Sequence, residues 1–203
     1  MEFTVASSPH LRPAISVSQV MLKLLLALVP AVLIYCLLYG WSIVINLAVG
    51  CGIAVALEAC FLRLRRRPVK KYISDYTAVV TAVLLVLAMP PLASWWLIAL
   101  GMLFAIGLGK QVYGGLGYNP FNPAMIGYVV LLISFPTEMS YWPETMGVLG
   151  SSEQSWSIAN ALQFLISGTT ATGQTLDGIT SATLLAEMDN AFSRGETLQE
   201  LSA

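Results

Sequence analysis

Long apolar runs, separated by short polar breaks, fill most of the first two thirds of the chain. Val20–Tyr39 and Ile43–Leu62 each hold about 20 residues, the length that an α-helix needs to cross a bilayer. Three shorter apolar runs follow, over Tyr76–Met89, Trp95–Leu108 and Ala124–Phe135. The pattern therefore predicts an all-α integral membrane protein with about five transmembrane or broken helices.

The polar breaks indicate where these helices begin and end. A short turn around Gly40–Trp41 separates the first two runs, and Pro90–Pro91 ends the third. Ser74–Asp75 precedes the third run and Asn122–Pro123 precedes the fifth; such residues suit helix N-caps and first helical positions. Short, interrupted segments often line the central site of transporter-like folds, although a tilted or frayed helix explains the same spacing.

Composition supports the membrane assignment. The chain is 57% hydrophobic and only 10% charged, with a mean hydropathy of +0.75, whereas soluble domains are about a quarter charged. Residues 1–19 form a polar leader that lacks the early apolar core of a signal peptide.

The distribution of Lys and Arg predicts the topology. If the runs cross in alternation, nine of the ten basic residues lie on one side, which the positive-inside rule makes cytoplasmic. They are Arg12, Lys23, Arg63, Arg65, Arg66, Arg67, Lys70, Lys71 and Lys110, and only Arg194 lies on the other side. We therefore expect a cytoplasmic leader over residues 1–19, a membrane domain over 20–135 and an exported segment over 136–203. That segment holds eight acidic residues: Glu138, Glu144, Glu153, Asp177, Glu187, Asp189, Glu196 and Glu200.

Two carboxylates lie close to apolar runs. Glu58 lies well inside the second run, and an intramembrane carboxylate is by default a functional candidate. We favour a plainer interpretation, an interfacial residue about one turn from Arg63. Asp75 is equally compatible with a functional role and with a helix N-cap.

Cysteine and histidine give no metal-binding pattern. Cys36, Cys51 and Cys60 all fall in apolar runs, none belongs to a Cys-x-x-Cys pair, and His10 is the only histidine. We interpret the cysteines as apolar packing residues and predict no metal site.

Two polar stretches are candidates for ligand chemistry. Gly114–Tyr128 combines glycines, two Asn-Pro steps and a helix predicted to begin at Pro123, whose N-terminus can face a polar or anionic group. It can equally be a loop that only turns the chain. Gly173–Leu185 is rich in Thr, Ser and Gly, which is typical of a solvated loop, and no neighbouring base or phosphate cradle activates its hydroxyls.

These two stretches carry a family resemblance. GYNPFNPAMIGY followed by DGITSAT resembles RnfD, a membrane protein of the Rnf ion-translocating electron-transport complex, and, more distantly, NqrB of the sodium-pumping NADH:quinone reductase. The resemblance covers the whole chain. It implies that a flavin transferase attaches FMN through a phosphoester to Thr183. The next residue is Leu184, at a position where we expect proline in this family. The residues implied in recognition by the transferase are Asp177, Gly178, Ser181 and Ala182.

The resemblance also implies a second flavin and a repeat fold. The second flavin is riboflavin, held without a covalent bond near a wall formed by Gly114, Gly115, Asn119 and Asn122. Family members carry a second set of membrane segments, so we expect this chain to hold the first half of an inverted-repeat, urea-transporter-like fold, with the C-terminal repeat missing.

The implied function is that of one subunit in an oxidoreductase that acts as a translocase and is not catalytic alone. Electrons from reduced ferredoxin or NADH reach the FMN on the exported side, and Na⁺ or H⁺ moves in response. The implied location is the bacterial inner membrane, with the flavin loop in the periplasm. The implied partners are the lipid bilayer, the other Rnf proteins (A, B, C, E and G) and a flavin transferase, with no nucleic acid.

Two functions of another class stay open. One is a urea-transporter-like channel, which shares this architecture but needs no DGITSAT loop. The other is a scaffolding membrane subunit without a cofactor.

Overall fold

A computed structural model describes residues 15–115, 117–143 and 158–167. Over these ranges the chain forms a bundle of helices. They are α1 Val17–Tyr39, α2 Ser42–Leu64, α3 Val69–Ile73, α4 Thr77–Ala88, α5 Trp95–Met102, a π-helix over Leu103–Gln111 that continues α5, α6 Pro123–Ser134, α7 Pro136–Ser140 and α8 Ile158–Ser167. By length and composition, α1 and α2 can each cross a membrane, while α4, α6 and α5 with its π-helix are shorter apolar helices.

The helix boundaries follow from local capping. At the start of α1, the hydroxyl of Ser16 accepts a hydrogen bond from the backbone N–H of Gln19, and the Gln19 side chain accepts one from the N–H of Ser16. The predicted turn after α1 is confirmed at Gly40, whose φ of 68° favours glycine. The predicted start of α6 is also confirmed, because the Asn122 side chain accepts from the N–H of Ala124 at 3.0 Å.

Helix α4 lies at the centre of the bundle. It packs against α1, α2 and α6, and eight of its twelve residues are buried. Helix α1 is the opposite case: it contacts α2 and α4 but has no buried residue, and Leu26 and Leu37 on it are exposed. An apolar helix with such an exposed surface is typical of a bilayer-facing position.

The helices alternate in direction between two distinct ends. At one end, Arg65 after α2 contacts Gln111 at the end of the π-helix. We call this the basic end; it comprises the C-terminus of α2, α3, the start of α4 and the end of the π-helix. At the other end, the ring centroids of Trp96 and Phe135 lie 5.2 Å apart. This alternation is the arrangement on which the charge-based topology depends.

Close helix packing depends on glycine at the contact between α5 and α6. A Cβ on Gly127 would lie 2.6 Å from the carbonyl oxygen of Gly101 and 3.1 Å from the Cβ of Ala105. Since the nearest atom is backbone, the two helices would have to separate to accept a methyl group.

We expect Gly127→Ala to lower the stability of the bundle by about 1–3 kcal/mol through this overpacking. The measurement is the melting midpoint of the full chain purified in detergent. Gly52→Ala is the matched control: it also lies within a helix, nothing lies within 4 Å of its Cβ position, and the methyl group should be neutral or stabilising there. Equal melting midpoints for the two variants would contradict the close α5–α6 contact.

Candidate functional site

The predicted flavin-attachment motif lies outside the described residues. Thr183, with Asp177, Gly178, Ser181 and Ala182, follows the last described residue, Ser167. The assignment of FMN to Thr183 therefore stays a prediction.

The predicted wall of the second flavin lies between the π-helix and α6, in residues 114–122, which we call the glycine turn. Gly114 and Gly115 have φ values of 108° and 107°, a conformation that L side chains rarely adopt. The amide of Asn119 donates to the carbonyl of Phe121 at 2.8 Å, and that of Asn122 caps α6. The structure thus brings these residues into one turn, and their role towards a flavin stays a prediction.

Arginines of the basic stretch hold this turn in place. Arg65 Nη1 donates to the backbone oxygen of Gln111 at 2.6 Å, and Arg67 Nη1 donates to that of Gly114 at 2.9 Å. Arg67 also lies over the ring of Tyr72. Sequence reasoning assigned these arginines to topology alone and missed this contact between α2 and the glycine turn.

The main polar feature of the described residues is a buried cluster at the basic end. Glu58 on α2 is 1% exposed and Lys110 on the π-helix is 3% exposed, and their side chains form an ion pair. Gln111 Nε2 lies 3.4 Å from the same oxygen of Glu58, Oε1. Helix α2 and the π-helix thus meet through charged groups in the interior of the bundle.

Thr77 and Asp75 extend the cluster towards the basic end. Lys110 Nζ lies 2.5 Å from Thr77 Oγ1, which lies 2.5 Å from Asp75 Oδ1. An ammonium only donates and an ionised carboxylate only accepts, so the Thr77 hydroxyl accepts from Lys110 and donates to Asp75. Asp75 Oδ1 also accepts from the N–H of Thr77 at 2.8 Å. Asp75 thus bonds the first N–H of α4 from the residue before the N-cap, Tyr76, while Ser74 bonds back to Lys70 in α3.

The cluster contains more negative than positive groups. Ionised Glu58 and Asp75 carry two negative charges, and Lys110 supplies one positive charge. Glu58 Oε2 is buried and has no hydrogen-bond partner among the described residues. A buried carboxylate oxygen without a partner is costly, and one proton or one monovalent cation would satisfy it and balance the charge.

The structure adds two points to the predictions for the cluster residues. Glu58 lies towards the basic end, but α4 and the π-helix pack over it, and its partner is Lys110 rather than Arg63. Lys110 follows the fourth apolar run in sequence, but the helix continues past that run to Gln111 as a π-helix and keeps the ammonium inside the bundle. The alternating direction of the helices could have indicated this cluster, because it brings residues 58, 77 and 110 to the same end of the bundle.

Comparison with known proteins identifies relatives. The chain matches the NQR2, RnfD, RnfE family over residues 4–202. It is 41% identical to the D subunit of the ion-translocating oxidoreductase complex of Vibrio cholerae serotype O1 strain ATCC 39541, over 98% of this chain and 59% of that protein. It is 39% identical to the protein of the same name from Klebsiella pneumoniae strain 342, over 99% of this chain and 59% of that protein. The protein of that name from Ectopseudomonas mendocina strain ymp is 48% identical over 78% of this chain and 50% of its own length. The chain thus spans about three fifths of the length of the first two relatives.

Proposed function

Because this chain belongs to the NQR2, RnfD, RnfE family, we propose that it is a membrane subunit of an ion-translocating oxidoreductase complex. In this proposal it carries electrons through flavin and couples their transfer to movement of Na⁺ or H⁺. The membrane is the bacterial inner membrane, and the partners are the A, B, C, E and G proteins of the complex.

The flavin part of the proposal depends on the DGITSAT motif. A flavin transferase attaches FMN to Thr183, and Asp177, Gly178, Ser181 and Ala182 are the residues it recognises. FMN supplies the step between one- and two-electron chemistry, while the protein positions it. The charge distribution supports the exported location of this motif without using any of its residues.

The glycine turn suits a ligand wall in one respect. Nothing lies within 4 Å of a Cβ position on Gly115, so the backbone is open to a flat ligand there. Riboflavin without a covalent bond is the ligand that we propose for the wall of Gly114, Gly115, Asn119 and Asn122.

The ion-coupling part is carried by one observation, the buried Glu58–Lys110 pair with its unpartnered carboxylate oxygen. Ionisable residues inside membrane bundles are rare and commonly mark ion or proton pathways. The pair lies at the basic end, which charge counting makes cytoplasmic. We propose that the coupling ion interacts with Glu58 there.

We expect Glu58→Gln to lower ion uptake per transferred electron by roughly tenfold or more, because the intramembrane charge is lost. Glutamine keeps the shape of the side chain but loses its charge. The measurement uses the assembled complex in proteoliposomes, with reduced ferredoxin or NADH as donor and ion uptake and electron transfer recorded together. Glu138→Gln, on α7 at the other end of the bundle, is the control and should behave as wild type. Unchanged coupling in Glu58→Gln would refute the role of the pair.

A further inference from the structure

An unbroken line of hydrogen bonds leads from the interior of the bundle to its basic end. It begins at Glu58 Oε1, passes through Lys110 Nζ and Thr77 Oγ1, and ends at Asp75 Oδ1. The first three side chains are buried, whereas Asp75 is half-buried. The line therefore connects a carboxylate enclosed by helices to one that reaches solvent.

Helix capping does not account for this line. Asp75 needs only the backbone N–H of Thr77 to cap α4, and that bond is made at 2.8 Å. The hydroxyl of Thr77 adds a separate link, from the same carboxylate to Lys110. Thr81, one turn along α4 and equally buried, provides the contrast, because its hydroxyl only donates to the carbonyl of Thr77 in its own helix.

We propose that Asp75, Thr77 and Lys110 form a proton relay between the basic end and Glu58. This proposal rests on the proposed role of Glu58 in ion coupling and names the route by which a proton reaches it. Chains of hydroxyl, amine and carboxyl groups can carry protons because each member that has given up a proton can take another.

The inward transfer conserves protons at every member of the relay. Lys110 gives one proton to the Glu58 carboxylate and takes the hydroxyl proton of Thr77. Asp75, which is ionised at rest, first binds a proton from solvent and then passes it to Thr77, so it ends as it began. The net change is one proton fewer in solvent and a neutral Glu58, with Lys110 and Thr77 unchanged.

The orientation of the Thr77 hydroxyl sets the direction of transfer. In the structure it accepts from Lys110 and donates to Asp75, which is the arrangement that passes a proton outward. Rotation about the Cβ–Oγ1 bond turns the hydroxyl proton to Lys110 and prepares the inward step. Valine at this position keeps the shape of the side chain and breaks the relay in both directions.

We expect Thr77→Val to lower proton uptake per transferred electron by about a hundredfold, within the range that positioned proton-transfer groups contribute. The assembled complex is placed in proteoliposomes in Na⁺-free medium, with a pH-sensitive dye inside and electron transfer recorded in parallel. Thr77→Ser, which retains a hydroxyl, should restore uptake, and Thr81→Val is the matched control with uptake near wild type. Wild-type uptake should slow in D₂O, and the residual uptake of Thr77→Val should not.

Three results would overturn the relay: no proton uptake by the wild-type complex without Na⁺, wild-type uptake by Thr77→Val, or equal losses in Thr77→Val and Thr81→Val. If Thr77→Val does not assemble, Asp75→Asn decides. Asparagine still accepts from the N–H of Thr77 but delivers no proton, so we expect uptake to be lost. Intact uptake in that variant would leave Asp75 as a cap and reject the relay.

Different results would reject the relay and the proposed ion-coupling role of Glu58. Full coupling in Glu58→Gln would remove the ion-coupling role of Glu58, and the relay with it. Loss of coupling in Glu58→Gln, with normal uptake in both Thr77→Val and Asp75→Asn, would reject the relay alone.

Discussion

We expect the Thr183→Ala variant to carry no covalently bound flavin when the protein is produced together with its flavin transferase. A phosphoester needs a hydroxyl at the attachment position, and alanine removes it, so the loss should be complete. Intact mass of the native protein should show one added FMN, absent from the variant, and in-gel flavin fluorescence should disappear in parallel.

Neighbouring hydroxyls supply the control for this experiment. Thr180 and Ser181 lie in the same motif, and general chemistry does not distinguish their oxygens from that of Thr183. Thr180→Ala should keep the added mass if attachment is specific to Thr183. Unchanged mass in Thr183→Ala would place the flavin on another residue.

The wild-type result also separates the classes of function. A channel or a cofactor-free scaffold predicts no added mass on the wild-type chain, even when the transferase modifies another substrate. Under the scaffold alternative, Thr183→Ala would change assembly of the complex and leave redox spectra unaltered. One FMN per chain would instead identify an electron carrier and place its loop on the exported side.

The helices of the bundle were largely predictable because their signals are local. Hydrophobic runs gave α1, α2, α4, α5 and α6, and the Asn122–Pro123 pair marked the start of α6, since a capping amide and a proline act on their immediate neighbours. The bond from the N–H of Thr77 to Asp75 has the same local origin. Alternate crossing also placed the basic residues of α2 and of the π-helix at one end.

The buried cluster was not predictable from such local signals. The interval between the second run and the fourth does not reveal that residues 58 and 110 meet, and the nearest charge in sequence, Arg63, is not the partner of Glu58. The π-helix is equally hidden, because its five-residue hydrogen-bond spacing leaves no clear hydrophobic period. That segment keeps Lys110 and Gln111 inside the bundle, where both lie against Glu58 Oε1.

We expect Lys110→Met to destabilise the bundle by about 3–5 kcal/mol, the cost of leaving a buried carboxylate without its counter-ion. Methionine preserves most of the side-chain length, so loss of packing contributes little. The measurement is the melting midpoint of the full chain in detergent. Lys71→Met, at an exposed position in α3, is the matched control and should leave the midpoint unchanged.

The double variant Glu58→Met/Lys110→Met separates the stability of the cluster from its function. Replacing both members of a buried ion pair by apolar side chains of similar volume is often neutral or stabilising, so the double variant should melt well above Lys110→Met. It should nevertheless lose ion coupling in the assembled complex, because neither a carboxylate nor a relay remains. A double variant that is as unstable as Lys110→Met would mean that Lys110 stabilises the bundle through Thr77 rather than through Glu58. Recovery of both stability and coupling would reduce the pair to a packing element and remove Glu58 from the ion pathway.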